Sequence, residues 1–243
     1  MMRTATIRGK YPCLIAVPHG FDDPNTSVVG ESMINELNCY GIINYGWKRA
    51  DIFDYYKDHA NCNNIEHLSE DVVKEEFLEP FIKYNNEIGL INGGYSPVFI
   101  IHGVSNEIKK ITKPHADLIL GIGQGNPQDS LSCSTMYSDI IYDRFTDLGL
   151  ATYFGKAGGK YSGFSKKNLN QYVKNQNSTL ISLNCNLQSI QIEIIKDLRE
   201  TKEIAQLTGS ILARAIAQCL YDFKMIIFGN SPKYLRKNTK LEI

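Results

Sequence analysis

Short apolar runs alternate along this chain with longer segments of helical periodicity, and that alternation most restricts the fold. "PCLIAVP", "GIINYG", "SPVFIIHG", "ADLILGIGQG" and "LATYFG" have the length and content of buried strands. "LQSIQIEIIKDL" alternates Ile190, Ile192 and Ile194 against Gln191 and Glu193, which is strand periodicity. Between these runs, Val29, Met33 and Leu37 recur at helical spacing, with Thr26 as the expected N-cap and Gly41 as the expected terminus. "SEDVVKEEFLEPFIKY" opens with acids and predicts an amphipathic helix, kinked or divided at Pro80. "TMYSDIIYDRFTDLG" and a segment from about Thr201 to Tyr221 predict two more. Strands alternating with helices imply an α/β fold, a mainly parallel sheet sandwiched by helices.

A chain of 243 residues with 43% hydrophobic residues can bury a sizeable core, and without repeats or low-complexity linkers it reads as a single domain over 1–243. Its 26 basic and 26 acidic residues cancel, which argues against nucleic acid or a membrane surface as the main partner. No apolar run has the length of a signal peptide or a membrane span, so the expected location is cytoplasmic. The six cysteines, Cys13, Cys39, Cys62, Cys133, Cys185 and Cys219, contain no C-x-x-C pair and read as mostly buried thiols rather than disulfides or a cysteine zinc site. The polar segment from Trp47 to His67 is long for a loop in a compact domain, and loops of that length are often functional.

In mainly parallel sheets, ligands collect outside the carboxyl ends of the strands. Two histidines fall there: His19 after "PCLIAVP" and His102 at the end of "SPVFIIHG", each followed by glycine. A catalytic zinc takes about three protein ligands from imidazole and carboxylate and keeps one position open. His19, His102 and one of Asp22 or Asp23 meet that requirement. Arg49, after "GIINYG", can pair bidentately with a substrate carboxylate or with Asp51 or Asp54. In the loop "GKAGGKYSG", Lys156, Lys160 and Tyr161 can hold an anionic substrate or form an exposed basic surface. Arg144 reads as a solvated helix residue, and His59, His67 and His115 as exposed. "GIGQGN" lacks the third glycine of a dinucleotide fingerprint, "GKAGGKY" is short of a P-loop, and no G-x-S-x-G elbow exists.

"PHGFDDPNT", "HGVSN" and "SIQIEI" occur in the order and spacing of the N-formylglutamate amidohydrolase-like proteins, relatives of the zinc carboxypeptidases, the N-acyl amino acid deacylases and the phage poly-γ-glutamate hydrolases. The resemblance covers the chain from about Tyr11 to Arg199. It implies a zinc carboxypeptidase-like fold and Zn2+-dependent hydrolysis of an amide bond in a small anionic N-acyl amino acid or short γ-glutamyl-like peptide. His19 and His102 match the family's histidine ligands, and Glu193 matches its catalytic glutamate. The middle ligand departs from the pattern, since relatives usually carry glutamate there. "DPNT" is similar to the "E-P-G-T" of the poly-γ-glutamate hydrolases, which favours Asp23, with Asp22 as the alternative and Glu31 too far into the helix. That departure also raises a second reading, a ligand-binding protein that keeps the fold without turnover.

Overall fold

The computed structural model describes residues 3–112, 114–125, 131–175 and 185–227. Seven strands form one mixed sheet: β1 (Thr4–Ile7), β2 (Tyr11–Val17), β3 (Cys39–Asn44), β4 (Tyr95–Val104), β5 (Leu118–Gly121), β6 (Thr152–Phe154) and β7 (Asn186–Ile195), in the order β1-β3-β2-β4-β7-β5-β6. The centre of the sheet is parallel: β3 with β2, β2 with β4, and β4 with β7. Antiparallel pairs attach β1 to β3 and β5 to β7, and β6 runs parallel to β5.

Alternate residues of the central strands supply two core layers. Ile15, Val17, Phe99, Ile101, Ile190, Ile192 and Ile194 pack against helices α1 (Thr26–Leu37), α3 (Thr135–Asp147) and α4 (Lys202–Ile227). Leu14, Ala16, Ile42, Val98 and Ile100 meet α2 (Glu79–Ile91) together with Trp47, Leu68 and Phe77 on the other face. A two-sided apolar sheet is what continuous apolar strand sequences predict.

Four local expectations change. Helix α1 starts at Thr26, but its cap is Asn25 in the left-handed region (φ 60°), and the Thr26 hydroxyl donates to the Asp23 carbonyl at 2.7 Å. The same helix stops at Asn38 (φ 49°), whose N–H reaches the Asn35 and Ile34 carbonyls, so Gly41 lies inside β3. Asparagine tolerates this conformation and serves as the helix stop in place of glycine. Pro80 does not break its helix: a π-helical turn over Lys74–Leu78 leads into α2, with Pro80 in its first turn, where a missing N–H costs little. Helix α4 runs to Ile227, beyond the expected Tyr221. Among the described residues, no helix is long and apolar enough to cross a membrane.

The segment after β3 is irregular but anchored. The Asn44 side chain donates to the Pro18 and Trp47 carbonyls and accepts from the Gly46 and Trp47 N–H groups, and Trp47 is fully buried. A 3-10 turn (Tyr55–Lys57) and a short helix (Ile65–Leu68) follow. Cys13, Cys39, Cys62, Cys133 and Cys219 are buried free thiols, and Cys185 is half-buried.

Candidate metal centre

Three adjacent strands deliver the site. β2 ends at Val17, and the chain turns at once, with the Asp22 and Asp23 N–H groups bonding back to the His19 carbonyl at 3.1 and 2.8 Å. A side chain at Gly20 would stand 2.6 Å from the Asn44 carbonyl oxygen, so the residue after His19 must be glycine for this turn to sit against β3. His102 lies near the end of β4, on the face that Val98 and Ile100 share, and it pairs in register with Glu193 of β7. β7 lies between β4 and β5, so Glu193 is on a central strand and not on the edge that the alternation of Gln191 and Glu193 with isoleucines would otherwise suggest.

His19, Asp23 and His102 converge. One ligand atom from each lies within 4.8 Å of the others, and all three side chains are buried. The two Nδ1 atoms are 3.1 Å apart, and the His19 Nδ1 is 3.8 Å from Asp23 Oδ2. Asp22 is not part of the cluster: its Oδ2 accepts the Arg49 N–H at 2.6 Å and so fixes the loop after β3. Glu31 accepts a hydrogen bond from the Tyr45 hydroxyl.

The electrostatics suit a cation. Burial lowers the pKa of His19, helped by Arg49 and opposed by the Asn61 hydrogen bond and the nearby aspartates. Burial, then the neighbouring His19 and Arg49, hold His102 well below the usual histidine value. Both rings are therefore neutral at pH 7, the form that ligates a metal. The His19 Nε2–H donates to Asn61 Oδ1 at 2.8 Å, which leaves Nδ1 with its lone pair toward the cluster. The Nε2 of His102 is buried without a hydrogen-bond partner among the described residues. Two nitrogens on a tetrahedral zinc stand about 3.4 Å apart, close to the separation found here, and two imidazoles with one carboxylate form an ordinary catalytic donor set.

Glu193 is buried beside this cluster. Burial pushes its carboxyl up to about 8, and Asp23 adds to the shift; the Gln191 hydrogen bond (2.8 Å), Lys160 and Arg199 oppose it. A carboxyl poised near neutrality can hold a proton or release it.

The remaining candidates divide. Arg49 is half-exposed at the edge of the cluster, its Nη1 3.6 Å from Asp23 Oδ1 and 3.4 Å from His19 Nδ1, and it pairs with neither Asp51 nor Asp54 among the contacts described. Lys160 is exposed, its ammonium 5.3 Å from the ring centre of Tyr161, which packs against Val104, Ile108, Ile119 and Ile195. Lys156 is also exposed on this loop. Arg144 is not merely solvated: it pairs with Asp147 within α3 (3.0 Å) and joins that helix to α4 through Asp222 (2.7 Å).

His67 is buried, because its Nδ1 accepts the Asn61 N–H at 2.9 Å; His59 is half-buried and His115 exposed. Asn61 was not singled out in the sequence. It lies in a polar stretch with several asparagines, and its role depends on a loop folding back over β2.

No family model matches the chain, and no curated protein matches it. Solved structures do. The N-formylglutamate amidohydrolase from Ralstonia eutropha JMP134 aligns with TM-score 0.54 and 13% identity over 90% of this chain and 98% of that one. A bacteriophage poly-γ-glutamate hydrolase aligns at 0.52 with 10% identity over 92% and 89%, and a zinc-free apo form of YNDL at 0.50 with 14% identity over 90% and 89%. At such identities the likeness establishes the architecture. The chain thus has the α/β fold of the N-formylglutamate amidohydrolase and poly-γ-glutamate hydrolase structures that its motifs resemble.

Proposed function

We propose that the protein is a metal-dependent amidohydrolase, with zinc as the metal and a small acidic N-acyl amino acid or γ-glutamyl-like peptide as substrate. The observation that carries this reading is the buried His19–Asp23–His102 cluster paired across one strand register with a carboxyl held near neutrality. The shared fold with an amidohydrolase and a poly-γ-glutamate hydrolase supports the reaction class, and the zinc-free form of a third structure supports the metal.

His19, Asp23 and His102 would hold the ion, and Asn61 would keep the His19 ring in the required tautomer. A zinc bound there would supply Lewis acidity, polarising a carbonyl and lowering the pKa of its water. Glu193 would take a proton from the attacking water at a carboxylate oxygen and hand it to the leaving amine. Its buried position keeps that proton out of exchange with solvent. Arg49 and Lys160, both accessible and both close to the cluster, would bind the carboxylate of an anionic substrate.

The test is to load the protein with zinc and screen formyl, acetyl and succinyl amino acids and γ-glutamyl peptides. About one tightly held zinc per chain with turnover of an acidic substrate bears the proposal out. Zinc without turnover of any substrate would point to the ligand-binding reading, and failure to hold any divalent metal would sink the metal centre.

A further inference from the structure

One buried guanidinium touches the backbone behind three of these groups. Arg199 ends the 3-10 turn Lys196–Arg199 after β7, and its side chain runs back into the protein, leaving the residue 5% exposed. Its Nε donates to the Ile194 carbonyl (3.1 Å), its Nη1 to the Pro24 carbonyl (2.6 Å) and its Nη2 to the Val104 carbonyl (3.0 Å). Ile194 follows Glu193, Pro24 follows Asp23, and Val104 is the second residue after His102. Three segments distant in sequence are thereby joined at one planar group.

Gly103, between His102 and Val104, completes the arrangement. Its N–H donates to Asp23 Oδ2 at 3.0 Å, and a side chain on it would stand 2.4 Å from Arg199 Cζ. The glycine that follows the second histidine is what admits the guanidinium. Asn25, the cap of α1, donates to the Arg199 carbonyl at 2.8 Å and holds this residue from the other side.

Among the described residues Arg199 makes no salt bridge, and its side-chain hydrogen bonds go to carbonyls; its charge interacts with Asp23 and Glu193 at longer range. A planar fork with fixed donor directions can set the angle between three acceptors, which a lysine ammonium cannot.

We propose that Arg199 is the positioning residue of the centre: one guanidinium sets Asp23, His102 and Glu193 relative to one another by holding a carbonyl one or two residues beyond each. The proposal rests on the metal reading above only for its metal-binding readout.

The experiment titrates Co2+ into the wild type and into Arg199→Gln, Arg199→Lys and Gly103→Ala, with circular dichroism to establish folding and amide exchange on the metal-free forms. Arg199→Gln and Gly103→Ala should each weaken Co2+ binding by about 10- to 100-fold, the usual effect of losing a group that orients ligands, and should alter its visible spectrum. Exchange of the Gly103 amide should quicken in both metal-free variants. Arg199→Lys should fall between Arg199→Gln and wild type. Because Gly103→Ala acts through the guanidinium, adding it to Arg199→Gln should change little further.

A folded Arg199→Gln that matches wild type in Co2+ affinity, spectrum and Gly103 exchange overturns the proposal, as do effects that simply add in the double variant. If Arg199→Gln fails to fold, an unaltered Gly103→Ala overturns it. If the wild type itself binds no Co2+, the metal reading fails instead, and Gly103 exchange alone decides the role of Arg199.

Discussion

At the start of the central strands, Cys13, Cys219 and Tyr137 are buried beside Tyr11 and Phe223; at their far end, His19, His102 and Glu193 are buried too. Desolvation acts on both groups and in both is the leading cause of the perturbed protonation. The consequences differ. Raising a thiol or a phenol keeps neutral a group that is already neutral at pH 7, so Cys13, Cys219 and Tyr137 behave as core. Raising a carboxyl to about 8 and lowering two histidines changes which proton sits where in the range where proteins work. Each end also leaves a polar atom without a hydrogen-bond partner among the described residues, the Tyr137 hydroxyl at one and His102 Nε2 at the other. Burial depth does not mark a site; the ionisation range of what is buried does.

The contrast breaks most easily at the two orphaned atoms. His102→Ala removes one of three donors and should abolish stoichiometric zinc and with it hydrolysis, as metal analysis would report. Tyr137→Phe removes a buried hydroxyl that lacks a hydrogen bond and should leave zinc content unchanged while stabilising the fold by up to about 1 kcal/mol. Full zinc in His102→Ala, or zinc loss in Tyr137→Phe, would reverse the assignment of the two ends.

Glu193→Gln should preserve zinc and lower turnover by about two to four orders of magnitude, the usual worth of a positioned proton-transfer group. Loss of zinc would make Glu193 a ligand, and near-normal turnover would require another base.

A smaller effect concerns pH. In metal-free protein the folded-state value of Glu193, about 8, lies above the ordinary value of 4.5. The folded state therefore binds more protons between those limits, so the contribution of Glu193 to stability is full below 4.5 and is lost as pH rises through about 8. The lowered histidines act in the opposite sense below 6.5 and are common to both proteins, so they cancel in a comparison. Metal-free Glu193→Gln should gain on the wild type in thermal melts between about pH 5 and pH 8, by at least about 2–4 °C, which corresponds to ~1 kcal/mol at this size. A constant difference across that range would place the Glu193 carboxyl in its ordinary range.

The last effect is on substrate binding and belongs to Arg49. Arg49→Ala should raise KM about tenfold or more for acidic substrates and leave it nearly unchanged for their amides, since the lost pair is charge-assisted. Equal effects on both would leave Arg49 as a brace for the loop that Asp22 holds.

The strand–helix alternation, the placing of His19 and His102 after apolar strands and the Glu193 alternation were legible in the sequence, because they follow from local period and polarity. The choice between Asp22 and Asp23 was not. Both begin in one turn, and only the approach of β4 and the loop after β3 sends Asp23 to Gly103 and His102 and Asp22 to the Arg49 N–H. Asn25 and Asn38 outdid Thr26 and Gly41 at the ends of α1 because asparagine tolerates left-handed backbone, which composition does not reveal. Arg199 and Asn61 were invisible because each acts on residues distant in sequence, through hydrogen bonds that exist only once the strands and the folded-back loop are packed together, and His67, read as exposed, is buried where it accepts the N–H of Asn61.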